Sequence, residues 1–290
     1  MSVVAFTTSA WQRDWPVVLD PVRYRMILES HRHPFATRLV VLNNFDSERE
    51  ADRAHTAAQR LVELELATDV IRSRVTLDAQ TLARFGLGDE FWEKNPWFSA
   101  AHLAALAYLE GRAEFQFYMS GDVWLARACE WVERAVCALA SEPQVLGLNL
   151  CRNIYRQDFY SRHCHRESDA LWISEPNYVP TPEKPAGFSL SDLAYLIPVR
   201  PSGGWQFTLR AEALAPWLTG WPAYARPCFE MLYRMALAAR GMCHAALKPL
   251  PGGGPITQHK NIPGGTGFKR WLYRCLGHYR PGGKYAPQLH

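Results

Sequence analysis

The sequence predicts an α/β protein with a mostly parallel central sheet and helices on both faces. Short apolar, β-branched runs alternate with helical stretches across residues 1–150, which is the pattern of such sheets. Polar residues follow the ends of several of these runs, where ligands of parallel sheets bind. The composition, with 48% hydrophobic and 21% charged residues, is that of a folded globular chain and excludes a disordered one.

The first half of the chain alternates between predicted strands and helices. Val3–Thr7 is the first strand, and Asp20 with Pro21 begins a helix because aspartate caps and proline suits the first helical position. The other elements of this half, in order, are a strand at 38–44, a helix at 48–66 capped by Ser47 and Glu50, a strand at 68–72, helices at 76–85 and 97–110, a strand beginning at Phe115, a helix at 125–140 and a strand at 144–150.

The second half is less regular. Residues 151–190 are polar and proline-rich and predict an irregular connection. Strands are predicted at 194–199 and 205–209, and a helix at 229–240, before two glycine-rich loops. We expect the halves 1–150 and 151–290 to form one continuous domain.

Charge and cysteine usage limit the possible partners and location. Nine of the 32 basic residues lie after Glu230, and no acidic residue follows it. This segment predicts contact with an anionic partner, namely ligand phosphates, a membrane surface or DNA. Seven cysteines without a CxxC pair predict reduced thiols and a cytoplasmic protein, with peripheral contact at the inner face of a membrane as an alternative.

The stretch 115–124 is the most informative part of the chain. Its aromatic and apolar residues predict a buried strand that ends on Ser120, Gly121 and Asp122. Because an unpaired buried carboxylate is costly, Asp122 is expected in a crevice facing a ligand or metal. The alternative is an N-cap for a helix beginning near Val123. Further ligand candidates at strand ends are Thr7, Thr8, Asn43, Asn44 and Asp46.

The layout resembles the GT-A fold of nucleotide-sugar glycosyltransferases, most nearly the inverting, family-2-like members. The resemblance is carried by Thr7–Thr8 after the first strand, by 40–44 at the end of the second, by 119–123 at the place of the Asp-X-Asp motif, and by 204–210 followed by the helix start Phe229–Glu230. A weaker fifth feature is 257–260, where some relatives supply a metal-binding histidine.

The resemblance implies a sugar transferase with a nucleotide-sugar donor and a glycan or lipid-linked acceptor. It implies that residues 1–150 bind the donor and residues 151–290 the acceptor. Asp122 and His259 would hold a divalent metal, Mn²⁺ or Mg²⁺, although Ser120 replaces the first acid of the motif and leaves metal dependence open. Arg200, Lys260 and Lys269 would contact the diphosphate.

Glu230 is the candidate general base of the resemblance, since a carboxylate can remove the proton of an attacking hydroxyl. The alternative is a glutamate whose negative charge only stabilises the helix by interacting with the positive end of the helix dipole. Asp192 is the second candidate for the base, and a retaining mechanism would need none. Two other functions stay open: a phage-type DNA base glycosyltransferase, and a non-catalytic module that binds nucleotide sugars or nucleic acid.

Overall fold

The computed structural model describes residues 2–73, 78–87, 100–152, 157–176, 178, 188, 190, 194–207, 229–250 and 254–259. Within these, the strands in chain order are β1 (Val4–Trp11), β2 (Thr37–Asn43), β3 (Asp69–Arg72), β4 (Phe115–Met119), β5 (Val123–Leu125), β6 (Val145–Arg152), β7 (Arg166–Glu167), β8 (Leu171–Ile173), β9 (Ala194–Pro198), β10 (Cys243–Leu247) and β11 (Ile256–His259). The helices are α1 (Trp15–Val18), α2 (Pro21–Ser30), α3 (Glu48–Glu63), α4 (Ala79–Arg84), α5 (Ala100–Leu109), α6 (Val132–Ser141), α7 (Gln157–His163) and α8 (Phe229–Arg240).

One large sheet runs through the molecule in the order β3-β2-β1-β4-β9-β6-β10-β8-β7. The neighbours β3, β2, β1 and β4 are parallel, as are β6 and β10. Strand β9 lies antiparallel between β4 and β6, and so joins the two parallel groups. Strand β11 pairs with both β5 and β6 outside this order. The carboxyl ends of β1, β2, β3 and β4 therefore lie at one edge, called here the carboxyl edge.

Helices cover both faces of the sheet. In β9, Ala194 and Leu196 contribute to the core on one face and Tyr195 and Ile197 to the core on the other, as the two-residue period of a strand requires. Helices α2, α3 and α6 pack on the first face, and α4, α5 and α8 on the second. Burial of apolar surface on both faces, worth about 25 cal/mol per Å², is the main force that holds these layers together.

The structure confirms the α/β architecture and most of the predicted elements. Helix α2 begins at Pro21, and Asp20 caps it by accepting hydrogen bonds from the backbone N–H groups of Val22 (3.1 Å) and Arg23 (3.2 Å). Helix α8 has the predicted bounds. Ser47 occupies the N-cap of α3 but its side chain makes no capping hydrogen bond, and the helix ends at Glu63 instead of 66.

Two predicted elements at the carboxyl edge were wrong in their bounds. Strand β1 continues to Trp11, because the apolar and small residues after Thr8 keep pairing with β2, so Thr7 and Thr8 lie inside the strand. The helix predicted at 125–140 begins only at Val132. Residues 123–125 form β5, because they pair with β11 from a distant part of the chain.

The second half contains elements that local patterns did not predict. The stretch 151–190, which the sequence predicts to be an irregular connection, includes α7, β7 and β8 among its described residues. Strands β10 and β11 follow α8. Residues 205–207 are not a strand, and 208–209 lie outside the described residues. None of the helices described is both long and apolar enough to span a membrane.

Candidate functional site

The carboxyl edge gathers polar loops from several strands. Trp11 at the end of β1 pairs with Asn43 at the end of β2, so the loops after both strands leave the sheet side by side. The backbone N–H of Asp46 donates to the side-chain oxygen of Gln12 at 2.5 Å and ties these loops together. Asn44 has a φ of 54°, a left-handed conformation that asparagine tolerates better than most residues. The predicted candidates Asn43, Asn44 and Asp46 thus share one polar turn.

Asp122 lies in the turn that joins β4 to β5. The turn is closed by a backbone hydrogen bond from Val123 N–H to Ser120 O at 3.0 Å. The Ser120 hydroxyl donates to Asp122 Oδ1 at 2.8 Å, so the serine at the first motif position orients the acid at the last. Because a strand and not a helix follows, Asp122 does not cap a helix. It is half-buried and lies at the carboxyl edge.

A second carboxylate, that of Asp14, approaches Asp122. Asp14 occupies the N-cap of α1, but it accepts a hydrogen bond from the Trp11 backbone N–H at 2.8 Å and makes no capping bond to its own helix. Desolvation, together with the nearby negative charge of Asp122, raises the pKa of Asp14 to about 7. The Trp11 N–H group and the charge of Arg23 lower this pKa but do not offset the desolvation.

Sequence reasoning missed Asp14. Its helix has four residues, which is too short to show a periodic pattern, so the only local signal was an aspartate followed at the second position by a proline. That signal predicts a cap. It does not predict that the carboxylate turns back to the Trp11 N–H at the end of β1 and lies near enough to Asp122 for the two charges to interact.

His259 reaches the same region through backbone pairing. In the antiparallel ladder of β5 and β11, His259 pairs with Val123, the residue directly after Asp122. One register position further, the Trp124 indole N–H donates to the side-chain oxygen of Gln258 at 3.1 Å. The backbones of the two predicted metal ligands, Asp122 and His259, are therefore neighbours.

Glu230 is the second residue of α8, which packs on the second face of the sheet. Helix α8 leads into β10, which is parallel to β6, so the amino end of the helix lies toward the carboxyl edge. The Phe229 ring stacks on Tyr195, with 5.8 Å between ring centroids, and Tyr195 pairs with Tyr118 near the end of β4. Glu230 therefore approaches the carboxyl edge from the side opposite α2, α3 and α6.

The remaining predicted residues do not all join this group. Thr7 and Thr8 are 0% and 4% exposed inside β1. Arg200 follows β9, whose end pairs with the start of β4, and it forms an ion pair of 2.9 Å with Glu110 at the opposite edge of the sheet. Asp192, Lys260 and Lys269 lie outside the described residues, as does the side chain of His259.

The described side chains contain no cluster of three or more His, Cys, Asp or Glu residues suited to a metal ion. The pair of Asp14 and Asp122 supplies carboxylate oxygens, which are the donors that Mg²⁺ and Mn²⁺ prefer. Such ions are commonly held by one or two protein carboxylates and complete their coordination with phosphate oxygens and water. The carboxylate oxygens at the carboxyl edge therefore suit a metal ion that binds together with a diphosphate.

No family model matches the sequence, and no curated protein matches it. Solved structures of similar arrangement include the galactosyltransferase LgtC in complex with donor and acceptor sugar analogues, at 10% identity and a TM-score of 0.44, with 92% of this chain and 94% of that chain covered. A Pyrobaculum calidifontis mannosyltransferase in complex with GDP-Man and Mn²⁺ matches at 14% identity and a TM-score of 0.46, over 96% of this chain and 61% of that one.

Mouse xyloside xylosyltransferase 1 matches at 13% identity and a TM-score of 0.42, over 90% of this chain and 99% of that chain. These identities and scores are too low to carry the activity of the three enzymes over to this chain. The chemistry available at the carboxyl edge is therefore that of its own residues.

Proposed function

We propose that the chain transfers a sugar from a nucleotide-sugar donor to an acceptor hydroxyl and binds the donor at the carboxyl edge. The observation that carries this proposal is that the loops after two neighbouring parallel strands, β1 and β4, bring Asp14 and Asp122 near enough for their charges to interact. Ligands of open α/β sheets bind at this edge. The proposal extends to a divalent ion, Mn²⁺ or Mg²⁺, held by these carboxylates and the donor diphosphate.

The residues around the pair suit the parts of such a donor. The polar turn of Asn43, Asn44 and Asp46 offers hydrogen-bonding groups for the base or ribose on the β2 side of the pair. When bound, the ion neutralises the charge that develops on the leaving diphosphate. His259 is a further candidate ligand on backbone position alone, and Lys260 and Lys269 remain candidate contacts for the phosphates.

Glu230 is the proposed general base. It lies near the start of α8 on the second face of the sheet, whereas Asp14 belongs to the helix that packs on the first face, and we assign the side of Glu230 to the acceptor. The transfer is inverting when the base takes the acceptor proton while the hydroxyl oxygen bonds to the anomeric carbon from the face opposite the leaving nucleoside diphosphate. The proposed acceptor is a surface glycan or a lipid-linked saccharide, and Asp192 is the second candidate for the base.

Ligand-induced stabilisation tests the donor site directly. A ligand that binds only the native state raises its unfolding free energy, by about 2.7 kcal/mol at one hundred times its Kd. The experiment compares melting temperatures with UDP, GDP, ADP and TDP, each with and without Mn²⁺, and then follows hydrolysis of the matching nucleotide sugars. We expect one nucleotide to stabilise the chain, and to do so more strongly with Mn²⁺.

The matched variants are Asp122→Asn and Glu63→Gln. Glu63 is exposed on α3 and pairs with Arg60 at 2.7 Å, so its substitution alters charge far from the carboxyl edge. Asp122→Asn should abolish the Mn²⁺-dependent part of the shift, whereas Glu63→Gln should leave it intact. No shift with any of the four nucleotides, or an undiminished shift in Asp122→Asn, would contradict the proposal.

A further inference from the structure

Gly121 lies in the turn that presents Asp122 and is buried against two other elements. A β-carbon built on Gly121 would lie 2.4 Å from Val18 Cγ2, 2.9 Å from Val18 Cγ1 and 3.0 Å from the carbonyl oxygen of Ser9. Contacts shorter than 3.0 Å are essentially never made by real β-carbons. Gly121 is not among the described residues with a positive φ, so space and not backbone conformation demands glycine here.

Val18 belongs to the same short helix as Asp14. It is 1% exposed, and its backbone N–H donates to the carbonyl oxygen of Asp14 at 3.1 Å. Asp14 is held in turn by the Trp11 N–H at the end of β1. Helix α1 therefore links the Asp14 carboxylate at its amino end to the Val18 isopropyl group at its carboxyl end. The isopropyl group packs against Gly121.

The other side of the contact is equally restrained. Val123 N–H bonds to Ser120 O, and the Ser120 hydroxyl bonds to the Asp122 carboxylate, so the turn carries its acid as a unit. Strand β5 anchors the turn through its pairing with β11. When two such units touch, the distance of closest approach between them fixes how far apart their carboxylates stand.

We propose that the contact between Gly121 and Val18 sets the separation of the Asp14 and Asp122 carboxylates, and that both are positioning residues for the divalent ion and diphosphate this pair binds. This inference rests on the proposed function. It goes beyond it by naming two apolar residues, neither of which touches the ligand, as determinants of its binding.

The size of the expected effect follows from the contact. An added methyl group at residue 121 must move about 1 Å to reach ordinary van der Waals contact with Val18. A misplacement of that size at a reacting site costs roughly 10²-fold in rate. We therefore expect Gly121→Ala to lower kcat/KM for the donor by about that factor and to weaken the binding of Mn²⁺.

A steric suppressor tests whether the contact with Val18 causes the loss. Val18→Ala removes both methyl groups that the new β-carbon would meet, so the double variant Gly121→Ala with Val18→Ala should recover at least tenfold in kcat/KM over Gly121→Ala alone. Recovery should be partial, because the Ser9 carbonyl oxygen remains at 3.0 Å. If Gly121→Ala fails to fold, Val18→Leu, which enlarges the other partner, is the replacement and should weaken Mn²⁺ binding in the same way.

Gly111→Ala is the matched control. Gly111 has a φ of 77°, a β-carbon added to it would meet no atom within 4 Å, and it precedes β4 at the opposite edge of the sheet. Its substitution strains the backbone without moving the Asp122 turn, so it should lower the melting temperature and leave Mn²⁺ affinity unchanged. Equal losses of Mn²⁺ affinity in Gly111→Ala and Gly121→Ala would overturn the inference.

Mn²⁺ binding with and without a nucleoside diphosphate, measured by water-proton relaxation, is the readout that distinguishes the two proposals. A wild-type chain that binds Mn²⁺ but transfers no sugar contradicts the proposed function alone, and Gly121→Ala and the double variant still test the positioning. A wild-type chain that binds no Mn²⁺, a Gly121→Ala chain that binds it as well as wild type, or a double variant without recovery would each overturn the inference.

Discussion

The imidazole ring of His102 stacks on the ring of Phe229, with 4.8 Å between centroids and 7° between planes. His102 Nδ1 also lies 2.7 Å from the hydroxyl oxygen of Tyr195, which stands beside Tyr118 in β4. This contact joins helix α5 to the first residue of α8, directly before Glu230. The two candidate catalytic regions, the β4–β5 turn and the start of α8, are thus built on one aromatic cluster.

Asp122→Ala should abolish turnover and leave the fold intact. The carboxylate accepts a hydrogen bond from the Ser120 hydroxyl. The turn itself is closed by the backbone hydrogen bond from Val123 N–H to Ser120 O, so it should keep its conformation when the carboxylate is removed. We expect kcat/KM to fall by at least 10²-fold, with a melting temperature close to that of wild type. Activity within about threefold of wild type, less than about one kcal/mol of transition-state stabilisation, would show that Asp122 is structural only.

Glu230→Gln should separate donor binding from transfer. Glutamine keeps the size and the helix position but cannot take a proton, so transfer should fall by roughly 10²–10⁴ while the donor Kd hardly changes. If Glu230 only favours the helix dipole, the substitution costs about 0.3–1 kcal/mol of stability and the rate stays near normal. Single-turnover transfer and the melting temperature, measured on the same preparation, distinguish these outcomes.

The unfolding free energy should fall as the pH drops below 6.5. Burial lowers the pKa values of His31, His102 and His244 to about 3, so between about pH 5 and 6.5 the unfolded chain binds protons that the folded chain does not. Each such histidine adds a slope of up to about 1.4 kcal/mol per pH unit, with stability rising as pH rises. Asp14 acts in the opposite sense, because its pKa is raised to about 7.

Urea unfolding at pH 5.0, 5.5, 6.0, 6.5 and 7.5 measures this slope. His31→Asn should reduce the slope below pH 6.5 by about one proton, whatever it does to stability at pH 7.5. His165→Asn is the control, because His165 is exposed. A wild-type unfolding free energy that stays constant or rises on acidification from pH 6.5 to 5 would refute the assignment of neutral buried histidines.

Glu65→Gly should stabilise the protein. Glu65 follows the last turn of α3 with a φ of 55°, and Leu66 N–H bonds back to Leu61 O at 2.8 Å, which is the helix ending that usually contains glycine. Glycine adopts this conformation without strain, so we expect a gain of about 0.5–1 kcal/mol in urea unfolding. Glu63→Gly, inside the last turn, should instead cost about 1 kcal/mol. A loss of stability in Glu65→Gly would contradict this account.

Local chemistry made much of the fold predictable. Asp20 and Pro21 mark the start of α2 by a cap and a fixed φ, and the apolar spacing of α8 indicates its bounds, because both signals lie within a few adjacent residues. The α/β class follows from the alternation of such elements. The Asp122 turn was predictable because burying an unpaired carboxylate costs free energy, so a single acidic residue after a buried strand is expected in a turn at the end of that strand.

Pairing between distant parts of the chain made the rest unpredictable. Strands β5 and β11 have three and four residues, and each is a strand only because of its partner. Without that pairing, the residues after Asp122 look helical, and Thr257 to His259 look like a loop between glycines. Asp14 was missed for a related reason, since its proximity to Asp122 depends on where the β4–β5 turn packs and not on its own neighbours in the sequence.

The pairing of β11 with β5 and β6 has a consequence for how the protein is made. The ribosome synthesises the chain from the amino to the carboxyl terminus, so β1 to β6 emerge well before Ile256–His259. The early strands can pair while the strand that flanks the Asp122 turn is still unsynthesised. Until Ile256–His259 is synthesised, β5 lacks the strand with which it pairs in the folded protein, and the turn that carries Asp122 lacks the strand that flanks it.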